Sequence, residues 1–171
     1  MYIKITKNLK RNYWSGLSRV AGYNLEKDCL LLLEKNFECT CGLESYHFPI
    51  IKNYIDDEYK FELSDCGTSL DIYQKKIINE EINPYKIYKL EEQIECIIKN
   101  LKKSNVKHLD MHLSGKNICI TEDGIISLID FDIASIDDFY LSKKISKAAN
   151  DYGEDYYNKI KEIMNRLLQK G

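Results

Sequence analysis

Glycine and proline are scarce in this chain, at 8 and 2 of 171 residues. With 44% hydrophobic and 30% charged positions, that scarcity points to one packed globular domain, without linkers, repeats or low-complexity tracts. Neither sign of charge predominates. The 25 basic and 27 acidic residues leave a net charge of −2, which is no electrostatic footprint for nucleic acid. Long apolar runs are missing as well: the longest, Cys29 to Leu33, falls far short of the roughly 20 residues a membrane helix needs, so no span is expected. Met1 to Lys7 alternates apolar and polar residues and lacks the apolar core and cleavage site of a signal peptide, which leads to the expectation of a cytoplasmic protein.

A C-x-x-C pair is also lacking. The six cysteines, Cys29, Cys39, Cys41, Cys66, Cys96 and Cys119, show no framework spacing and are expected to be reduced and mostly buried. Cys39-Thr40-Cys41 with His47 offers three metal ligands, but no fourth partner lies at zinc-finger spacing, so loop and core cysteines are the expectation there.

What is present is periodic. Residues 2–6 alternate like a strand, and Asn24 can cap a helix with Leu25, Cys29, Leu32 and Leu33 at helical spacing, widened by the leucines at 30 and 31. Ile50 to Ile55 and Tyr59 to Leu63 read as a hairpin around Asp56-Asp57-Glu58. A short helix is expected over Leu70 to Ile78. A longer one should start near Ile87, with Leu90, Ile94, Ile97 and Leu101 on one stripe. Ile118 to Ile120 and Ile125 to Ile129 flank an Asp123-Gly124 turn, and Asp155 to Gln169 reads as a final amphipathic helix. This order of elements favours an α+β fold.

One region stands apart: His108-Leu109-Asp110-Met111-His112, then Asn117, then a hairpin that returns the chain to Asp130-Phe131-Asp132. The hairpin brings Asn117 close to Asp130, so that two oxygen donors face a common ion. Phosphoryl transfer needs a carboxylate to orient a hydroxyl and oxygen ligands to hold Mg²⁺ on the phosphates, and Asp110, Asn117 and Asp130 supply that set.

These residues resemble the protein-kinase-like superfamily, with its His-x-Asp…Asn catalytic loop and its Asp-Phe-acidic metal motif. The resemblance implies a two-lobed kinase-like fold with a reduced N-terminal sheet and a shortened helical C-terminal lobe. The chain would be a single domain, with residues 1–66 as the small lobe and 67–171 as the large one. It further implies Asp110 as catalytic base, Asn117 and Asp130 as magnesium ligands, and His112 as a contact to the transferring phosphate or a brace for the loop. Met1-Tyr2-Ile3-Lys4 is similar to the strand whose lysine binds the α- and β-phosphates, which makes Lys4 and Glu26 an expected ion pair at the nucleotide. Leu63-Ser64-Asp65-Cys66-Gly67 resembles the hinge, where Ser64 and Cys66 would meet adenine through backbone groups.

The chain departs from the pattern in three ways. Asp110 and Asn117 are seven residues apart where the family has five, so the loop must bulge, at Ser114-Gly115. His112 stands where protein kinases carry lysine. The glycine-rich cover is absent ahead of Lys4, and no Ala-Pro-Glu segment follows Asp132. The expected activity is ATP- and Mg²⁺-dependent phosphoryl transfer to a hydroxyl of a protein or a small molecule. The alternative is a catalytically impaired, pseudokinase-like binding module. A third reading has a partner chain or second copy complete the nucleotide cover.

Overall fold

Alternation of apolar and polar residues builds the first sheet. In the computed structural model, which describes residues 2–5, 17–111 and 113–169, β1 (Tyr2–Ile5), β2 (Ile51–Ile55) and β3 (Lys60–Leu63) form an antiparallel sheet in the order β1-β3-β2. The acidic turn of the expected hairpin is a single 3₁₀ turn, Asp56–Glu58, closed by Tyr59 in the left-handed region. Lys4 lies opposite Phe61 in the register of β1 and β3.

The helix packed on this sheet, α1 (Arg19–Asn36), starts earlier than expected. Its cap is Ser18, whose hydroxyl accepts from the Ala21 N–H at 3.1 Å, and Asn24 is an exposed residue of the second turn. Gly22 does not break the helix. It stands where α1 passes close to Asp132, with room for no more than ordinary contact at a Cβ. Tyr23 stacks on Phe61 at 4.4 Å between ring centroids, and Cys29, Leu30 and Leu33 are buried, whereas Leu31 is 44% exposed and does not widen the apolar face.

The second half is mainly helical. α2 (Leu70–Ile78) follows the two-residue strand β4 (Thr68–Ser69), and α3 (Leu90–Lys103) buries Ile94, Ile97 and Leu101 completely. That central helix begins at Leu90 rather than Ile87. β5 (Val106–His108) leads out of it and pairs with β8 (Ala134–Ile136), while β6 (Ile118–Ile120) and β7 (Ile126–Leu128) form the hairpin expected around Gly124, with β4 on its edge. α4 (Lys143–Tyr152) and α5 (Tyr156–Leu168) close the chain, and α5 lays Ile160, Met164 and Leu167 into the core beside α3. Neither α4 nor the strands β4, β5 and β8 were expected from the sequence.

The architecture is therefore mixed α+β, with small antiparallel sheets and, among the described residues, five α-helices. No helix among them is long and apolar enough to cross a membrane. Cys29, Cys41, Cys96 and Cys119 are buried, Cys39 and Cys66 half-buried, and all six are free thiols, as the lack of framework spacing suggested.

Candidate functional site

A cleft of about 550 Å³ opens where the end of β3 and residues 64–69 face the β6–β7 hairpin. Glu26, Ser64, Cys66, Asn117 and Asp130 all line it. Five positions drawn from four separate stretches of sequence thus share one wall.

The loop between β5 and β6 is held by its own backbone. Gly115 takes φ +76°, and the Ile118 N–H returns to its carbonyl at 3.0 Å, which closes a turn over residues 115–118. A side chain at Gly115 would collide with Leu70, 2.8 Å from where a Cβ would stand. This turn brings Asn117 to Asp110. The Asn117 Nδ2 donates to the Asp110 carbonyl at 2.6 Å and to its carboxylate Oδ2 at 3.2 Å. With the donor end of the amide so engaged, the carbonyl end is what this nearly buried side chain offers a cation.

Asp130 is brought alongside by the hairpin. The Ile129 N–H donates to the Asn117 carbonyl at 2.9 Å, and Asp130 itself adopts φ +70°, the left-handed conformation that Asp tolerates better than most residues and that seven other side-chain-bearing positions among the described residues share. His108 braces both segments from behind. Its Nε2–H donates to the Ile129 carbonyl at 2.9 Å, and its Nδ1 accepts from the Asp110 N–H at 3.3 Å. Acceptance at Nδ1 requires the neutral ring, in keeping with burial, which lowers its pKa despite the nearby Ile129 carbonyl, Asp130 and Asp110. Phe131 closes against the His108 ring, 4.9 Å between centroids.

The chain matches no family model and no curated protein.

The remaining predicted residues are distributed unevenly. Glu26 is fully buried on α1 at the back of the cleft. Lys4 is described by its backbone alone, in β1, and His112 lies outside the described residues. Ser64 and Cys66 sit in a tightly built turn: the Ser64 N–H donates to the Ile50 carbonyl at 2.9 Å, and the Asp65 carboxylate accepts from the Gly67 N–H at 2.8 Å. Burial raises the Cys66 thiol pKa, so it meets the cleft as a neutral group.

Two cations on the wall were missed. Lys116 and Lys76 both line the cleft, and Lys116 Nζ lies 3.3 Å from Asp110 Oδ2. The position of Lys116, directly before Asn117, was the available signal; nothing in the sequence pointed to Lys76. Asp110 is not part of the cleft lining; it lines a second, open groove together with Met111, Leu113 and Tyr152. Its bonds to Asn117, which does line the cleft, connect the two concave surfaces.

Proposed function

We propose that the protein is a phosphotransferase of the protein-kinase-like superfamily, moving the γ-phosphoryl group of ATP to a hydroxyl of a protein or small molecule. On this reading residues 1–66 form the small lobe and residues 67–171 a reduced large lobe. The observation that carries it is the convergence of Asn117 and Asp130 on one cleft, with Asn117 also bonded to Asp110. The cleft volume of about 550 Å³ suits a nucleotide, since small-molecule sites run from about 300 to 1,000 Å³.

A carboxylate and an amide oxygen are the hard donors that a magnesium ion takes, so Asp130 and Asn117 fit as its protein ligands. Bound there, the ion would neutralise charge on the phosphates. The protein's own share is positioning. Asp110 accepts the proton of the acceptor hydroxyl, which reaches it from the open groove, and the Asn117 bonds fix the orientation of the carboxylate. Lys116, and His112 two residues beyond Asp110, supply positive or hydrogen-bonding character toward the transferring group. Lys4, set by Glu26, holds the phosphates that stay behind, while the backbone at Ser64 and Cys66 receives the base.

Asp110→Asn separates these roles. ADP release with a panel of protein and small-molecule hydroxyls should fall by a factor on the order of 10² to 10⁴, with ATP affinity nearly unchanged. Equal loss of both, or of neither, would remove Asp110 from the mechanism.

A further inference from the structure

The loop between α1 and β2 carries three groups with no part in the cleft. Cys39 Sγ and Cys41 Sγ lie 3.6 Å apart, and Cys41 Sγ lies 3.4 Å from His47 Nε2. The fourth group comes from elsewhere in the chain. Cys96 on α3 brings its sulfur to within 4.8 Å of both other thiols. Around a tetrahedral zinc ion, with Zn–S of about 2.3 Å and Zn–N of about 2.0 Å, sulfurs stand about 3.8 Å apart and a sulfur and nitrogen about 3.5 Å apart.

We propose that Cys39, Cys41, Cys96 and His47 form a structural zinc site. The sequence hides it, because Cys96 is 55 residues beyond Cys41 and has no motif spacing to the other three.

The supporting groups are those a metal site needs. The His47 Nδ1–H donates to the Ile126 carbonyl at 2.7 Å, and since a carbonyl can only accept, this bond leaves the Nε2 lone pair facing the thiols. The Thr40 N–H points at Cys96 Sγ from 3.3 Å, an interaction that favours a thiolate. Asn100 clamps the loop to α3, accepting from the Glu38 N–H at 2.8 Å and donating to the Glu38 carbonyl at 2.9 Å. Gly42 at φ +70° turns the chain back directly after Cys41. Cys41 and His47 are buried, so an ion here would have a closed shell, the mark of a structural rather than a catalytic site. Thiolate and imidazole ligands select zinc over magnesium or calcium, and on binding the three thiols release their protons to solvent. The ion would buckle the loop to α3 and, through the His47 carbonyl that accepts from the Leu128 N–H at 2.9 Å, to the strand leading to Asp130.

The test reads metal rather than activity, so it stands apart from the phosphotransferase reading. Full-length protein made with zinc in the medium and purified under reducing conditions, without chelator, should hold one zinc per chain by elemental analysis. Cobalt added to the stripped, reduced protein should give the intense visible bands of tetrahedral thiolate coordination. Cys39→Ser, at the half-buried corner, should weaken cobalt binding at least about tenfold. His47→Gln should alter the cobalt spectrum. Cys66→Ser and Cys119→Ser should leave both readouts unchanged. Wild-type protein with neither zinc nor a cobalt band overturns the proposal. So does a cobalt spectrum indifferent to both Cys39→Ser and His47→Gln, or a Cys39–Cys41 disulfide in protein isolated under the same conditions.

Discussion

Lys116 reaches Asp110 with 44% of its own side chain and 21% of its partner's exposed. A pair so open to water contributes about 0 to 1 kcal/mol, too little to withhold the carboxylate from an incoming hydroxyl. On the phosphotransferase reading proposed above, its charge would serve a phosphoryl group arriving between the two residues. Lys116→Met should therefore lower turnover at least about tenfold while stability stays within about 0.5 kcal/mol. A rise in turnover would instead mark the pair as inhibitory and favour the poorly catalytic module. His108 carries a different consequence. Burial lowers its pKa in the folded protein, so the folded state binds fewer protons than the unfolded one once pH drops below the ordinary value of about 6.5. The stabilisation is complete above that pH and lost on going below it, by up to about 1.4 kcal/mol per pH unit. Denaturant melts between pH 7.5 and 5.5 should show this slope in the native protein and a shallower one in His108→Asn.

Local pattern gave away most elements and failed where the decisive partner was remote. The stripe of Ile94, Ile97 and Leu101 and the Asp123-Gly124 turn reflect short-range geometry, and both stand in the structure as the sequence implied. β4, β5 and β8 are two or three residues long, defined by the strands they pair with rather than by their own alternation. α4 was legible and was passed over: Ile145, Ala148 and Ala149 recur at helical spacing on one buried face, opposite the lysines at 143, 144 and 147. The start of α1 was misplaced because two residues of cap type, Ser18 and Asn24, precede the apolar stripe, and the structure uses the earlier one. At the cleft, Asn117 and Asp130 were legible because a hairpin joins them, whereas Lys76 is brought in by a helix with no motif of its own. The turn at Gly67 shows how tightly this wall is built. With φ +89° and Ile120 O 2.3 Å from where a Cβ would stand, Gly67→Ala must move backbone. The strain and the clash together should cost on the order of 2 to 3 kcal/mol, read as a lower denaturation midpoint at unchanged m-value.

For the whole molecule, the proposed nucleotide binding should appear as stability, because the cleft is formed jointly by α1, the end of β3, residues 64–69 and the β6–β7 region. A ligand that binds only when these parts are assembled adds RT ln(1 + [L]/Kd), about 2.7 kcal/mol at a hundredfold excess over Kd. For a chain of 171 residues that corresponds to a rise in Tm of roughly 5–10 °C. Mg-ATP should produce this rise, and ATP with a chelator a smaller one, since Asp130 would then face the phosphates without an ion between them. Asp130→Asn removes the carboxylate and should erase the difference between the two conditions. Asp71→Asn, which alters an acid outside the cleft lining, should preserve it. An equal shift with and without magnesium in the native protein would separate nucleotide binding from the proposed metal ligands. The absence of any shift at saturating Mg-ATP would leave the convergence of Asn117, Asp130 and Asp110 without a nucleotide to serve.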